Sequence, residues 1–180
     1  MKVLIFGNKL QHLLELISFS KALGADETTA LAVSMNEEGA KEAASYGIAK
    51  VYFTDEKELT TDEVVSGLLK ISEAFNPDIV AGPGTRDGYE ITSRVGVKLN
   101  APTITEVVGV KTEPGLVFER TAIGGRAVSV EEVKIPVTLT VSLGRFEPPK
   151  EKVGEAEIER ISLKKEGKVR FLEVQEKSRG

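Results

Sequence analysis

Residues 76–99, NPDIVAGPGTRDGYEITSRVGVKL, constrain this chain more than any other stretch. Asn76-Pro77 ends whatever precedes it, because proline cannot continue a helix and biases its predecessor away from the αR region. Residues 78–81 then read as a buried strand. Gly82, Gly84 and Gly88 punctuate a loop where the backbone must turn tightly or lie open to a ligand. A helix follows, starting at Asp87 or Gly88. Ile91, Val95 and Leu99 fall on one of its faces, and Glu90, Arg94 and Lys98 form a charged row on another. A helix with one apolar stripe, entered from a strand, needs a sheet to cover.

The first half repeats that unit. Residues 2–6 are apolar enough for a central strand, and Gly7-Asn8 turns into a helix over residues 9–23, with Asn8 as its cap. Leu10, Leu13, Leu14 and Ile17 make the sheet-facing stripe, widened by Leu16, Phe19 and Leu23, and Gly24 closes the helix. Residues 28–33 form a second strand, followed by a helix with Glu37 and Glu38 in its first turn and a stop at Gly47. Residues 50–54 form a third, weaker strand, expected at an edge. Thr60 and Glu63 make a capping box for a helix that runs to Phe75. Four strand–helix repeats imply a parallel sheet, because the βαβ crossover is almost always right-handed.

After Asn100 the period becomes alternating, with strands expected over residues 103–110, 116–123, 127–133 and 137–143. Glu113-Pro114-Gly115 and Gly124-Gly125 read as hairpin turns, and Pro136 as an edge or a strand start. The fold class is therefore α/β, with a β-rich C-terminal half that extends or flanks the parallel sheet. One domain is expected over residues 1–149, then a charged tail over 150–180 with strand-like pieces at 156–163 and 169–174.

The chain of 180 residues has no cysteine, which removes disulfides, thiol catalysis and zinc–thiolate sites together. A net charge of −4 and few aromatic residues leave no footprint for nucleic acid. MKVLIFG is too short for a signal peptide and no later run is long enough to span a membrane, so a cytoplasmic location without membrane insertion is expected.

In a parallel sheet that winds outward from its middle, ligands bind beyond the carboxyl ends of the strands where the winding reverses. Here those strands are the first and the fourth. Their exits are Gly7-Asn8 and the loop Gly82, Gly84, Thr85, Arg86, Asp87 and Gly88. Amides at two helix N-termini would face one crevice suited to a phosphate or other anion, with Arg86 adding charge-assisted contacts. There is no P-loop, no complete GxGxxG after the first strand and no acid at the end of the second, which disfavours NAD. His12, the single histidine, is read as a surface or satisfied structural histidine because no serine or cysteine partner is identifiable from spacing. Asp87 and Glu90 could form an acid–base pair, but acids in a first helical turn more often simply favour the dipole. Arg120 and Arg126 flank the Gly124-Gly125 turn and suit an anion, a partner or an ordinary charged hairpin equally.

Two stretches, AGPGTRDGYEITSRVGVKLNAPTITEV (81–107) and ERTAIGGRAVSVEEVKIPVTLTVSLGRFEPP (119–149), resemble the N-terminal domain of the electron transfer flavoprotein alpha subunit. They share its order of glycine turn, arginine-bearing helix, small-residue strand, arginine and double-glycine hairpin, proline-led strand and F-x-P exit. The hairpin reads Gly125-Arg126-Ala127 where that family commonly has glycine, asparagine, alanine. The resemblance implies a three-layer, Rossmann-type domain like those of adenine-nucleotide hydrolases, working beside a homologous beta subunit or as a homodimer in flavin-based electron transfer. It also implies nucleotide- or partner-facing roles for Gly82, Gly84, Arg86, Asp87, Arg94, Arg120, Gly124, Gly125 and Arg126. FAD or AMP is the cofactor it suggests. The family's flavin is held chiefly by a second, C-terminal domain, and this chain ends at Gly180 about where that domain would start, so a full FAD site is not expected of this chain by itself. The resulting expectation is an electron-transfer component rather than a stand-alone catalyst, with a flavin-free module binding AMP or ATP as the alternative.

Overall fold

A continuous apolar run, buried on both faces, places β1 (Lys2–Gly7) in the middle of the structure, a computed structural model that describes residues 1–121, 126–129 and 132–165. Val3 and Ile5 face one helical layer, while Leu4 and Phe6 face the other. β1 pairs in parallel with β2 (Glu27–Ala32) on one side and with β4 (Ile79–Pro83) on the other. β3 (Lys50–Phe53) continues outward beyond β2. Helices α1 (Leu10–Ala22) and α2 (Glu37–Ala43) cover the first face, and α3 (Thr61–Phe75) and α4 (Arg86–Leu99) the second. The result is the expected α/β three-layer fold.

The β-rich half extends this sheet. β5 (Thr103–Lys111) lies one position beyond β4, and β8 (Val137–Val141) returns to fill the gap in parallel with both. Every residue of β8 is buried, so Pro136 marks a strand start and not an edge. β6 (Val117–Thr121) and β7 (Ala127–Ser129) add antiparallel strands outside β5. Among the described residues the order is β7-β6-β5-β8-β4-β1-β2-β3-β9. The Gly124-Gly125 turn and the strand expected over 169–174 lie outside the described residues.

Local chemistry corrects several expected boundaries. Asn8 is not the cap of α1: Lys9 occupies that position in extended conformation, with no side-chain hydrogen bond to the helix. α4 begins at Arg86, because Thr85 Oγ accepts the Gly88 N–H at 3.0 Å and so sets the start two residues before Gly88. α2 stops at Ala43, and Gly47 supplies a later left-handed turn at φ 83°. Gly82 lies inside β4, where a Cβ would stand 2.3 Å from the Phe6 ring; it is a packing glycine.

The expected edge position of β3 is overturned by β9 (Glu157–Arg160), which pairs with it in parallel. From β8 the chain crosses the first helical face. There the Gly144 N–H donates to buried Glu15 at 2.7 Å, and Phe146 stands edge-on to Phe19 with ring centres 5.4 Å apart. After β9, residues 161–165 turn over the sheet margin onto α3, where Leu163 is buried. The Glu56 carboxylate accepts hydrogen bonds from Leu163 N–H (2.6 Å), Lys164 N–H (3.2 Å), Ser162 Oγ (2.8 Å) and Thr54 Oγ (2.9 Å). Glu63 accepts the Lys165 N–H at 2.6 Å and the Thr60 N–H at 2.8 Å.

Partial burial raises the pKa of both carboxyls, but these hydrogen bonds outweigh it and hold them below the ordinary 4.5. Groups with depressed folded-state pKa values stabilise the fold fully above the ordinary value and lose that contribution as pH falls through the depressed one. Glu56→Gln should therefore be less stable than the wild type at neutral pH, with the difference closing in acid. Chemical denaturation across that range checks this, and a difference that persists in acid contradicts it.

Candidate functional site

Because α1 leaves β1 toward one face and α4 leaves β4 toward the other, their first turns separate and open a crevice at the carboxyl end of the sheet. A cavity of about 380 Å³ lies there. Its walls come from the end of β1 with the first turn of α1 (Phe6, Gly7, Asn8, Lys9, His12), the exit of β2 (Val33, Ser34), the approach to α3 (Glu58, Leu59, Thr60, Thr61, Val64) and the entry to α4 (Pro83, Thr85, Asp87, Gly88, Ile91). Three helix N-termini thus converge on one space.

Two of those termini are closed by their own side chains. Thr60 and Glu63 form the reciprocal capping box expected for α3, and Thr85 caps α4. α1 has no side-chain cap and no acid in its first turn. Its first N–H groups have no partner within the helix and carry the positive end of the helix dipole toward the cavity. Lys9 adds a formal charge beside them. His12 sits one turn in, and its Nδ1 is buried with no hydrogen-bond partner among the described residues. Partial burial pushes the His12 pKa below the ordinary 6.5, against the attraction of Glu15 and with the repulsion of Lys9.

The same cavity wall includes acceptors. Asp87 and Glu58 add carboxylates to that wall, and Phe6, Val33, Leu59, Val64 and Ile91 supply apolar surface. Ser34 and Glu58 hold left-handed backbone at φ 53° and 56°, an uncommon state for non-glycine residues, and Ser34 Oγ donates to the Glu56 carbonyl at 2.7 Å. Donors, acceptors and apolar walls around one space suit a ligand with an anionic group, hydroxyls and a flat apolar body. No group of three or more His, Cys, Asp or Glu side chains among the described residues could hold a metal ion.

Of the candidate residues read from the sequence, Gly7, Asn8, Thr85, Asp87 and Gly88 come together on this cavity. Gly88 lets the α4 entry close on β4, since a Cβ there would meet the Pro83 carbonyl oxygen at 2.0 Å. Gly82 packs on Phe6, and the Gly84 N–H is engaged by the Val141 carbonyl at 2.8 Å. Arg86 is exposed at the start of α4, away from the cavity wall. Arg94 pairs with Asp62 of α3, and Glu90 accepts from Thr61 Oγ at 3.1 Å instead of meeting Asp87. Arg120 lies on β6 and donates to Thr105 Oγ at 3.0 Å, three strands from β4, and Arg126 is exposed just before β7. Gly124 and Gly125 lie outside the described residues.

Sequence reasoning missed Lys9, His12, Ser34, Glu58, Thr60 and Thr61 as cavity residues. His12 could have been found, because the third residue of a helix leaving a switch-point strand sits beside its N-terminus. Ser34 and the approach to α3 carry no comparable signal.

The sequence model of the electron transfer flavoprotein domain matches residues 8–166 of this chain. The electron transfer flavoprotein subunit alpha of Syntrophomonas wolfei subsp. wolfei is 30% identical over 144 residues, a stretch covering 77% of this chain and 45% of that protein. The chain thus spans less than half the length of the curated relative it matches. Among the described residues, no helix is long and apolar enough to cross a membrane. With the match running from the turn between β1 and α1 to the segment after β9, the chain belongs to the electron transfer flavoprotein domain family.

Proposed function

We propose that this chain takes part in electron transfer, with a flavin or adenine nucleotide held at an interface shared with an electron transfer flavoprotein beta-like subunit or with a second copy of the chain. The observation that carries the reading is the uncapped N-terminus of α1 opening into the switch-point cavity. The amides of α1 and Lys9 would take an anionic phosphate, Asp87 and Glu58 would accept from hydroxyls, and the apolar walls would take a ring. Family membership and the alpha-subunit relative support the electron-transfer role. A bound flavin would supply the one- and two-electron chemistry, and this chain's residues would bind and orient the nucleotide and exclude water from part of it.

The cavity's size favours a second reading. About 380 Å³ lies toward the lower end of ligand pockets, which span roughly 300–1,000 Å³, and fits a mononucleotide better than a whole dinucleotide. In that case the chain would bind AMP or ATP as a flavin-free regulatory or scaffold module.

Co-expression with a candidate beta-like subunit should yield a yellow complex with flavin absorbance. A colourless chain that associates with no partner contradicts the electron-transfer reading. Both readings place an anion at the α1 terminus. Lys9→Asp would cap that helix and set a negative charge there, so it should raise stability by about 1 kcal/mol while abolishing stabilisation by AMP. Thermal-shift titration of both proteins checks this. Wild-type protein that no adenine nucleotide stabilises, or a variant that binds AMP as well as wild type, overturns the anion site.

A further inference from the structure

Glu56 and Glu63 each join the chain segment after β9 to a wall of the cavity. Glu63 takes the Lys165 N–H on one oxygen and the Thr60 N–H on the other, at 2.6 and 2.8 Å. Thr60 is a cavity residue, and its Oγ accepts the Glu63 N–H in return at 3.2 Å. Glu56 takes Leu163 N–H, Lys164 N–H and Ser162 Oγ on its side chain, while its main-chain carbonyl accepts Ser34 Oγ at 2.7 Å. Ser34 is also a cavity residue. Three consecutive amides of residues 163–165 thus end on two side chains that bracket the loop carrying Glu58, Leu59, Thr60 and Thr61. The loop lines the cavity, and the two side chains at its ends hold residues 163–165 as a strap.

The strap is seated by shape as well as by hydrogen bonds. Leu163 is buried over Gly67 in the interior of α3, where an added Cβ would stand 2.5 Å from Leu163 Cδ2. Interior glycine weakens a helix, and at this position it makes room for the leucine. Upstream, the Ile161 N–H donates to the Phe53 carbonyl at 2.8 Å, and Arg160 pairs with Asp55 at the start of the same loop.

We propose that residues 161–165 act as a regulatory strap whose docking is coupled to the cavity through Glu56 and Glu63. With the strap docked, both ends of the loop over residues 55–61 are held and the cavity wall is set. With the strap released, Glu56 and Glu63 lose the groups that fix them from outside, and the wall loosens. Coupling of this kind is reciprocal, so a ligand that orders the wall favours the docked strap, and a partner that captures the strap weakens the ligand. The ligand half of this statement rests on the nucleotide reading above; the link between strap and loop does not.

Hydrogen exchange on the full chain separates the two. Gly67→Ala improves the intrinsic propensity of α3 and drives a methyl group into the Leu163 seat; Leu163→Ala empties the seat without touching α3. In each variant without ligand, exchange should rise roughly tenfold or more in residues 161–165 and together with it in residues 55–61, while β1 and β4 keep wild-type protection. A strap that exchanges freely beside a loop at wild-type rates overturns the coupling, as do wild-type rates in both segments in both variants. In the wild type, saturating AMP should slow exchange at residues 163–165. Binding of AMP with no slowing there overturns the coupling and leaves the nucleotide reading standing. Failure of AMP to bind removes the nucleotide reading and leaves the ligand-free comparison to decide the strap.

Discussion

Parallel pairing of β1 on both of its edges is the constraint from which the site follows. Val3, Leu4 and Ile5 register with Thr28, Thr29 and Ala30 of β2 on one side and with Ile79, Val80 and Ala81 of β4 on the other. Right-handed crossovers then send α1 and α4 to opposite faces, so the main chain after β1 and after β4 must diverge. The space between them is the cavity walled by the end of β1, the first turn of α1 and the entry to α4. It is also where the positive end of α1 stands uncapped, so the same pairing that builds the core directs a donor-rich helix end into a cavity.

The remainder of the chain secures that arrangement from both margins. β8 enters between β4 and β5 and ties the Gly84 N–H to the Val141 carbonyl, which fixes the approach to α4. On the far side β9 covers the open edge of β3, so that strand no longer offers unpaired backbone to another chain. The segment between β8 and β9 crosses α1, joining the two margins over one helical layer, and residues 161–165 reach the other. The second half of the chain therefore braces a site whose lining comes from the first half.

How much of this was legible in the residues depends on whether the signal was local. The strand–helix alternation, the Thr60–Glu63 capping box and the switch point between the first and fourth strands were all readable, because hydrophobic period and capping chemistry act over a few residues. The start of α4 was misplaced by a residue or two because the Thr85 cap was overlooked in a glycine-rich loop. β3 was misassigned to an edge because its partner comes more than a hundred residues later, in a charged segment with exposed and half-buried positions. Gly82 and Gly84 looked like ligand-facing glycines but serve packing on Phe6 and a hydrogen bond to β8, and only three-dimensional proximity distinguishes those roles. Ser34, Glu58 and Thr61 reach the cavity through loops whose course no periodic pattern reports.

The proposed nucleotide site depends on the open end of α1 receiving an anionic group. Titration of the isotopically labelled chain with AMP, followed by amide chemical shifts, tests this most directly. The largest changes are expected at residues 8–12, with the His12 ring responding alongside them. Large changes elsewhere on the surface, with residues 8–12 unmoved at saturation, would contradict it.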